Sequence, residues 1–94
     1  MSVYVDQLQA YGRVAGATRV KRWCHMIADS LDELHAMATL IGMKREWFQG
    51  TASTPHYDLS TTRRAAAVAA GAIQLERSSL VAKCRELRTK RDTV

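Results

Sequence analysis

A run that is apolar on both of its alternating faces leads straight into a helix-capping box, and this succession limits the fold more than any other feature of the chain. From Val20 to Ala28 the apolar residues Trp23, Met26, Ile27 and Ala28 leave no solvent side toward the end of the run. Such a pattern predicts a strand covered on both faces and central in its sheet. Ser30-Leu31-Asp32-Glu33 follows, with the Ser30 hydroxyl placed to accept from the third helical N–H and Glu33 to reach back. Leu31, Leu34, Ala38 and Ile41 then recur at helical spacing, and Gly42 supplies a left-handed stop, which predicts a helix over residues 31–41.

The remaining segments arrange themselves around this strand–helix unit. Ser2-Val3-Tyr4-Val5-Asp6 reads as a first strand ending on a carboxylate, and the glycine-bearing stretch from Gln7 to Arg19 as a loop. Glu46-Trp47-Phe48-Gln49 reads as a third strand, followed by an exposed loop from Gly50 to Thr54. A helix over Thr61 to Ala70 is capped near Ser60 and ended by Gly71, Ala72 to Glu76 forms a fourth strand, and Ser78 or Ser79 caps a last helix reaching about Arg88. Leu80, Val81, Cys84 and Leu87 form its apolar stripe. The order β-β-α-β-α-β-α predicts an α/β domain with a small, mostly parallel four-stranded sheet flanked by three helices. With 94 residues the chain is a single domain over 1–94, with residues 89–94 expected to fray as a basic tail.

No apolar run approaches the ~18 residues a membrane helix requires, and the N-terminus lacks a signal peptide's basic and apolar regions. The expectation is a cytoplasmic protein with no membrane partner. Cys24 and Cys84 are far apart and show no CxxC spacing, so both are expected to stay reduced. The net charge of +5 suits a nucleic-acid partner or serves solubility, and five of the 14 cations fall in the last twelve residues.

Chemistry concentrates where strands end and helices begin. In an open parallel α/β sheet that edge holds the ligand crevice, and Asp6, His25, Asp29, His56 and Asp58 would all reach it. Histidine with carboxylate supplies nitrogen and oxygen ligands for a divalent metal, or a general base with its orienting partner. The candidate catalytic residues are His25, His56 and Asp58; the candidate metal ligands are His25, Asp29, His56 and Asp58. Asp6, Arg13, Tyr57 and Arg64 are the candidate ligand-binding residues, the arginines as phosphate clamps. Helix capping accounts equally well for Asp29 and Asp58. His35, bordering the first helix's apolar stripe, reads as a hydrogen-bonded core histidine. Cys24 and His25, as neighbours on a strand, point to opposite faces, and no HExxH, Gly-x-Ser-x-Gly, Walker A or Gly-x-Gly-x-x-Gly motif is present.

Val3-Tyr4-Val5-Asp6, Tyr11-Gly12-Arg13, Cys24-His25-Met26-Ile27-Ala28-Asp29, Glu33 to Ala38, His56-Tyr57-Asp58 and Arg64-Ala65 through Ala69-Ala70-Gly71-Ala72-Ile73 form an ordered set. On that set the chain resembles the domain-of-unknown-function 4031 family over roughly residues 2–76. The resemblance implies a bacterial or tailed-phage protein, located in the host cytoplasm if phage-encoded, and a tie to nucleotide or nucleic-acid metabolism; in some longer relatives a domain similar to metal-dependent phosphohydrolases follows. Two functions are therefore expected in competition. One is binding of a phosphate-bearing ligand, a nucleotide or nucleic acid, with a divalent metal and metal-dependent phosphohydrolase or nuclease-like activity. The other is a non-catalytic phage accessory protein that docks on a host protein or nucleic acid through its basic C-terminal helix.

Overall fold

The computed structural model describes residues 2–10 and 22–92. Five strands and three helices follow one another as β1 (Val3–Val5), β2 (Gln9–Ala10), β3 (Arg22–Ala28), α1 (Leu31–Leu40), β4 (Tyr57–Ser60), α2 (Thr61–Ala69), β5 (Ile73–Gln74) and α3 (Arg77–Asp92). A 3-10 turn at Arg45–Trp47 lies between α1 and β4. Arg13 and most of the predicted Gln7–Arg19 loop fall outside the described residues, but the loop's first part holds β2, paired with β3.

β3 is central, as its two apolar faces require. Trp23 pairs with both Gln9 and Ser60, and Met26 with both Val5 and Tyr57. β1 and β2 therefore share one edge of β3, while β4 occupies the other, and β5 lies beyond β1.

The sheet is mixed, which corrects the mostly parallel arrangement expected from the sequence. Only β1 and β5 run parallel; β3 is antiparallel to β1, β2 and β4. A parallel neighbour needs a crossover that returns the chain to its starting end. No predicted helix separates β2 from β3, and after α1 the segment 41–56 carries the chain back, with Gln49 bridging His56 beside β4. The strand expected over Glu46–Gln49 shrinks to that bridge, and the true strand is Tyr57–Ser60. Its alternation of buried Tyr57 and Leu59 with half-buried Asp58 and Ser60 is a period of two.

The helix ends follow local chemistry. Ser30 accepts from the Glu33 N–H at 3.2 Å and donates to the Glu33 carboxylate at 2.9 Å, and Gly42 sits past the end of α1 at φ +81°. Ser60 caps α2 through the Arg63 N–H, and Gly71 follows that helix at φ +107°. α3 starts before the serines expected to cap it: the Leu80 N–H already bonds the Glu76 carbonyl at 2.9 Å, which puts Ser78 and Ser79 inside the first turn. It runs on through Asp92.

Two apolar clusters separate the faces of the sheet. Val3, Val5, Cys24, Met26, Tyr57 and Leu59 meet Leu34 and Ala38 of α1 and Ala67 of α2 on one side. On the other, Ile27 packs with Leu80 and Leu87 of α3, flanked by Tyr4 and Cys84. Leu31 and Val81, expected on the buried stripes, are 51% and 47% exposed. The two cysteines are free and lie in different clusters, with the sheet between them. No helix among the described residues is long and apolar enough to cross a membrane.

Candidate metal centre

The second face of the sheet carries the chemistry. In β3, alternation turns Trp23, His25 and Ile27 away from α1 and α2; in β4 it turns Asp58 and Ser60 the same way. The antiparallel register places Asp58 directly across from His25, and His56 precedes Tyr57 on the same strand side as Asp58. Cross-strand neighbours, rather than the carboxyl ends of parallel strands, thus bring the site together.

A break in the ladder builds its inner wall. Val5 faces Met26 and Gln9 faces Trp23, so three residues, Asp6, Gln7 and Leu8, oppose only Cys24 and His25. This one-residue excess is a β-bulge. The Asp6 N–H still reaches the His25 carbonyl at 3.2 Å, but the His25 N–H is taken by the Asp6 carboxylate at 2.6 Å instead of a backbone carbonyl. The Asp6 carbonyl so released accepts from Arg64 Nε at 2.8 Å. Asp6, only 1% exposed, also holds His25 Nδ1 with its second oxygen at 2.9 Å.

Both histidines are oriented in the same sense. An ionised carboxylate and a backbone carbonyl only accept, so His25 donates Nδ1–H to Asp6 and His56 donates Nδ1–H to the Thr54 carbonyl at 2.8 Å. These tautomers are assigned from the partners. Each ring then presents Nε2 toward Asp58 Oδ1, at 3.9 Å from His25 and 3.5 Å from His56. Asp58 Oδ2 accepts from the Gln49 side-chain amide. The rings meet edge to face with centroids 5.3 Å apart. Hydrogen bonding from Asp6 raises the His25 pKa above the ordinary imidazole value; burial opposes the shift, while the charges of Asp6 and Asp58 add to it.

One ligand atom each from His25, His56 and Asp58 lies within 4.8 Å of the others. Around a tetrahedral zinc with bonds of about 2.0–2.1 Å, ligand atoms sit about 3.4 Å apart. The two nitrogen–oxygen separations are 3.5 and 3.9 Å and all three ligand atoms lie within 4.8 Å, so the side chains would draw together around such an ion. A proton on one imidazole or a metal ion among them would relieve the repulsion of their converging lone pairs. Three ligands on one side also leave coordination positions for water or substrate, and Asp6–His25 reproduces the carboxylate–histidine support typical of metal-binding imidazoles.

The other predicted site residues do different work. Asp29, expected among the metal ligands, does not join the cluster: it accepts from the Ser2 N–H at 2.9 Å and the Tyr4 hydroxyl at 3.1 Å and pairs with Lys83 at 3.4 Å. Tyr57, expected to touch ligand, is buried on the opposite face with its hydroxyl 2.8 Å from His35 Nδ1; His35 is hydrogen-bonded to the core, as its position suggested, but is itself only half-buried. Arg64, expected to clamp phosphate, closes the bulge and reaches Gln74 Oε1 at 3.3 Å. Asp6 acts on His25 from within the sheet. Cys24 faces α1 and α2, where burial first, with the Asp6 charge, pushes its thiol up to about 12; it is no nucleophile.

Burial works to raise the pKa of Asp29, but its bonds to Ser2, Tyr4 and Lys83 outweigh it, so the folded-state value is lowered. A lowered carboxylate pKa stabilises the fold above the unfolded value, near pH 4, and the gain is lost as pH falls through the folded value. Asp29→Asn is therefore expected to cost roughly 1 to 2 kcal/mol at pH 7. In urea melts the gap from the parent should close below pH 4; a gap constant with pH would refute the ionic contribution.

Sequence reasoning passed over Gln49 and Thr54, and placed Arg85 and Arg88 in the basic C-terminal helix rather than at the histidines. The last two line a cavity of about 410 Å³ under α3 together with His25, His56 and Thr54. Their i, i+3 spacing on a helix was the available signal, but nothing local indicates that this helix lies beside the histidines.

The fold and site define a small mixed-sheet α/β domain with a histidine–carboxylate cluster on a half-covered sheet face. The chain belongs to the family described as protein of unknown function (DUF4031), whose model matches residues 3–87. No curated protein and no solved structure matches it.

Proposed function

We propose that His25, His56 and Asp58 bind one divalent transition-metal ion and that the chain uses it to hydrolyse a phosphate ester. The observation that carries this reading is the shared orientation of the two imidazoles, each anchored through Nδ1 and each turning Nε2 to the same Asp58 oxygen. Two nitrogens and one carboxylate suit zinc or a neighbouring first-row ion.

The adjoining cavity supports phosphate as the group acted on. Arg85 and Arg88 line it beside the histidines, and guanidinium groups match phosphate geometry. Thr54, whose carbonyl holds His56, has a buried hydroxyl with no hydrogen-bond partner among the described residues. An ion held by His25, His56 and Asp58 would lower the pKa of a bound water toward ~7 and so supply the nucleophile. In the hydrolysis the water oxygen would bond to phosphorus as the bond from phosphorus to the ester oxygen breaks, one water proton going to the leaving oxygen and the other to the phosphate product.

The competing reading, a docking protein acting through its basic last helix, loses ground because Arg85 and Arg88 of that helix line the site itself. The deciding experiment dialyses metal-free protein against zinc or manganese, then assays phosphate-ester hydrolysis. One ion per chain, reduced at least tenfold in His56→Ala and Asp58→Ala, with turnover falling in parallel, is the expected result. Absence of stoichiometric binding by the parent chain would overturn it.

A further inference from the structure

The metal cluster lies in the middle of a trench, and the end opposite Arg85 and Arg88 is aromatic. His25 and His56 line both the cavity under α3 and a second depression of about 390 Å³. Trp23, Gln49 and Asp58 line both that depression and a third cavity of about 370 Å³, whose wall also includes Met43, Trp47 and Arg63. Arg85 and Arg88 thus line one side of the cluster, and two indoles with Arg63 the other.

We propose that the Trp23–Trp47 cavity receives the planar base of a nucleotide, so that the ester acted on is a nucleoside phosphate rather than a sugar phosphate. The proposal deepens the phosphate-ester reading and rests on it for the reaction, but the base cavity stands on its own geometry. Trp23 comes from the rigid central strand, on the same face as His25 and directly across from Ser60. Trp47 comes from the 3-10 turn and is 43% exposed. Lys44 and Arg63 lie 5.5 Å from the Trp47 ring centroid, and Arg63 is held in place by the Ile41 carbonyl at 2.8 Å. A base entering here meets indole surface for stacking and the Arg63 guanidinium for its ring oxygens or nitrogens. Its phosphate would then extend past Asp58 and the histidines toward Arg85 and Arg88. A small sugar phosphate would leave the indole end of the trench unfilled.

The protein has two tryptophans, and both line this cavity, so its intrinsic fluorescence reports on the proposed base site. The test excites the full chain at a wavelength absorbed by tryptophan alone and titrates it with adenosine monophosphate, adenosine, a thymidine tetranucleotide and ribose 5-phosphate. Adenosine monophosphate is expected to give saturable quenching, and ribose 5-phosphate none. Base–aromatic stacking of about 1–3 kcal/mol predicts at least a fivefold weaker midpoint in Trp47→Ala, read through Trp23, and near-parent affinity in Trp47→Phe. Of the two phosphate-bearing base probes, quenching by the tetranucleotide and not by the mononucleotide supports the base site with a strand as its source; quenching by the mononucleotide supports a free nucleotide. Adenosine has no phosphate and must quench His56→Ala as it does the parent, so failure of the metal reading leaves this signal intact. No saturable quenching by any base-bearing probe, equal quenching by ribose 5-phosphate, or an unchanged midpoint in Trp47→Ala overturns the proposal.

Discussion

Asp6→Ala is expected to lower the melting temperature by roughly 10 to 25 °C. The substitution strips a buried carboxylate from two donors, the His25 N–H and His25 Nδ1–H. Because β1 and β2 are out of step at this point, no backbone carbonyl stands ready to replace it. Leaving a buried backbone donor unsatisfied and losing a charge-assisted bond costs roughly 2 to 4 kcal/mol, and for a domain near this size each kcal/mol shifts the midpoint by about 4–8 °C. Asp6→Asn separates the two jobs of the carboxylate. Its amide oxygen can still accept from the His25 N–H, so most of the stability should remain, while the support behind the imidazole weakens. Loss of such a partner typically lowers metal affinity about 10- to 100-fold. Differential scanning fluorimetry with zinc titration measures both quantities. If Asp6→Asn binds metal as tightly as the parent, Asp6 is a structural residue only.

Saturating the parent protein with zinc should raise the melting temperature by about 10–20 °C, the second large effect. A ligand that binds only the folded state at a hundredfold excess over its Kd stabilises by about 2.7 kcal/mol, and the same size scaling converts this to temperature. His56→Ala should abolish the increment while leaving the metal-free melting point within a few degrees. His56 is half-buried at the edge of the sheet, where its ring meets His25 edge to face and donates to the Thr54 carbonyl. Lys83→Ala, which loosens α3 from Asp29 without touching the site, should keep the full increment. An increment surviving in His56→Ala would place the ion elsewhere.

What the sequence discloses and what it withholds divide along the reach of each interaction. Ser30 with Glu33, Gly42 and Gly71 act within a turn of their own position, and their roles are legible from neighbours alone. So is the centrality of β3, because a strand apolar on both faces has few other places to go. Strand direction is different: the period-two pattern of Tyr57–Ser60 says which side chains share a face but not which way the partner runs. That is why His25, His56 and Asp58 could be nominated together while the expected reason for their meeting, a parallel sheet edge, was wrong. Tyr57, Asp29 and Arg64 carry groups suited to a ligand, yet each is engaged by a residue at least 22 positions away: His35, Tyr4 and Asp6. No window along the chain reveals such pairings.

The extra residue between Val5 and Gln9 makes chain length, as well as residue identity, a condition of the site. With one residue fewer there, β1 and β2 would follow β3 in a single register, and the His25 N–H would meet an ordinary carbonyl. The carboxylate behind the imidazole would then lose its place, even with every histidine and aspartate of the cluster retained. Members of the family that keep His25, His56 and Asp58 but shorten this segment by one residue would have the ligands without their support. Counting residues there sorts relatives in a way that motif matching does not.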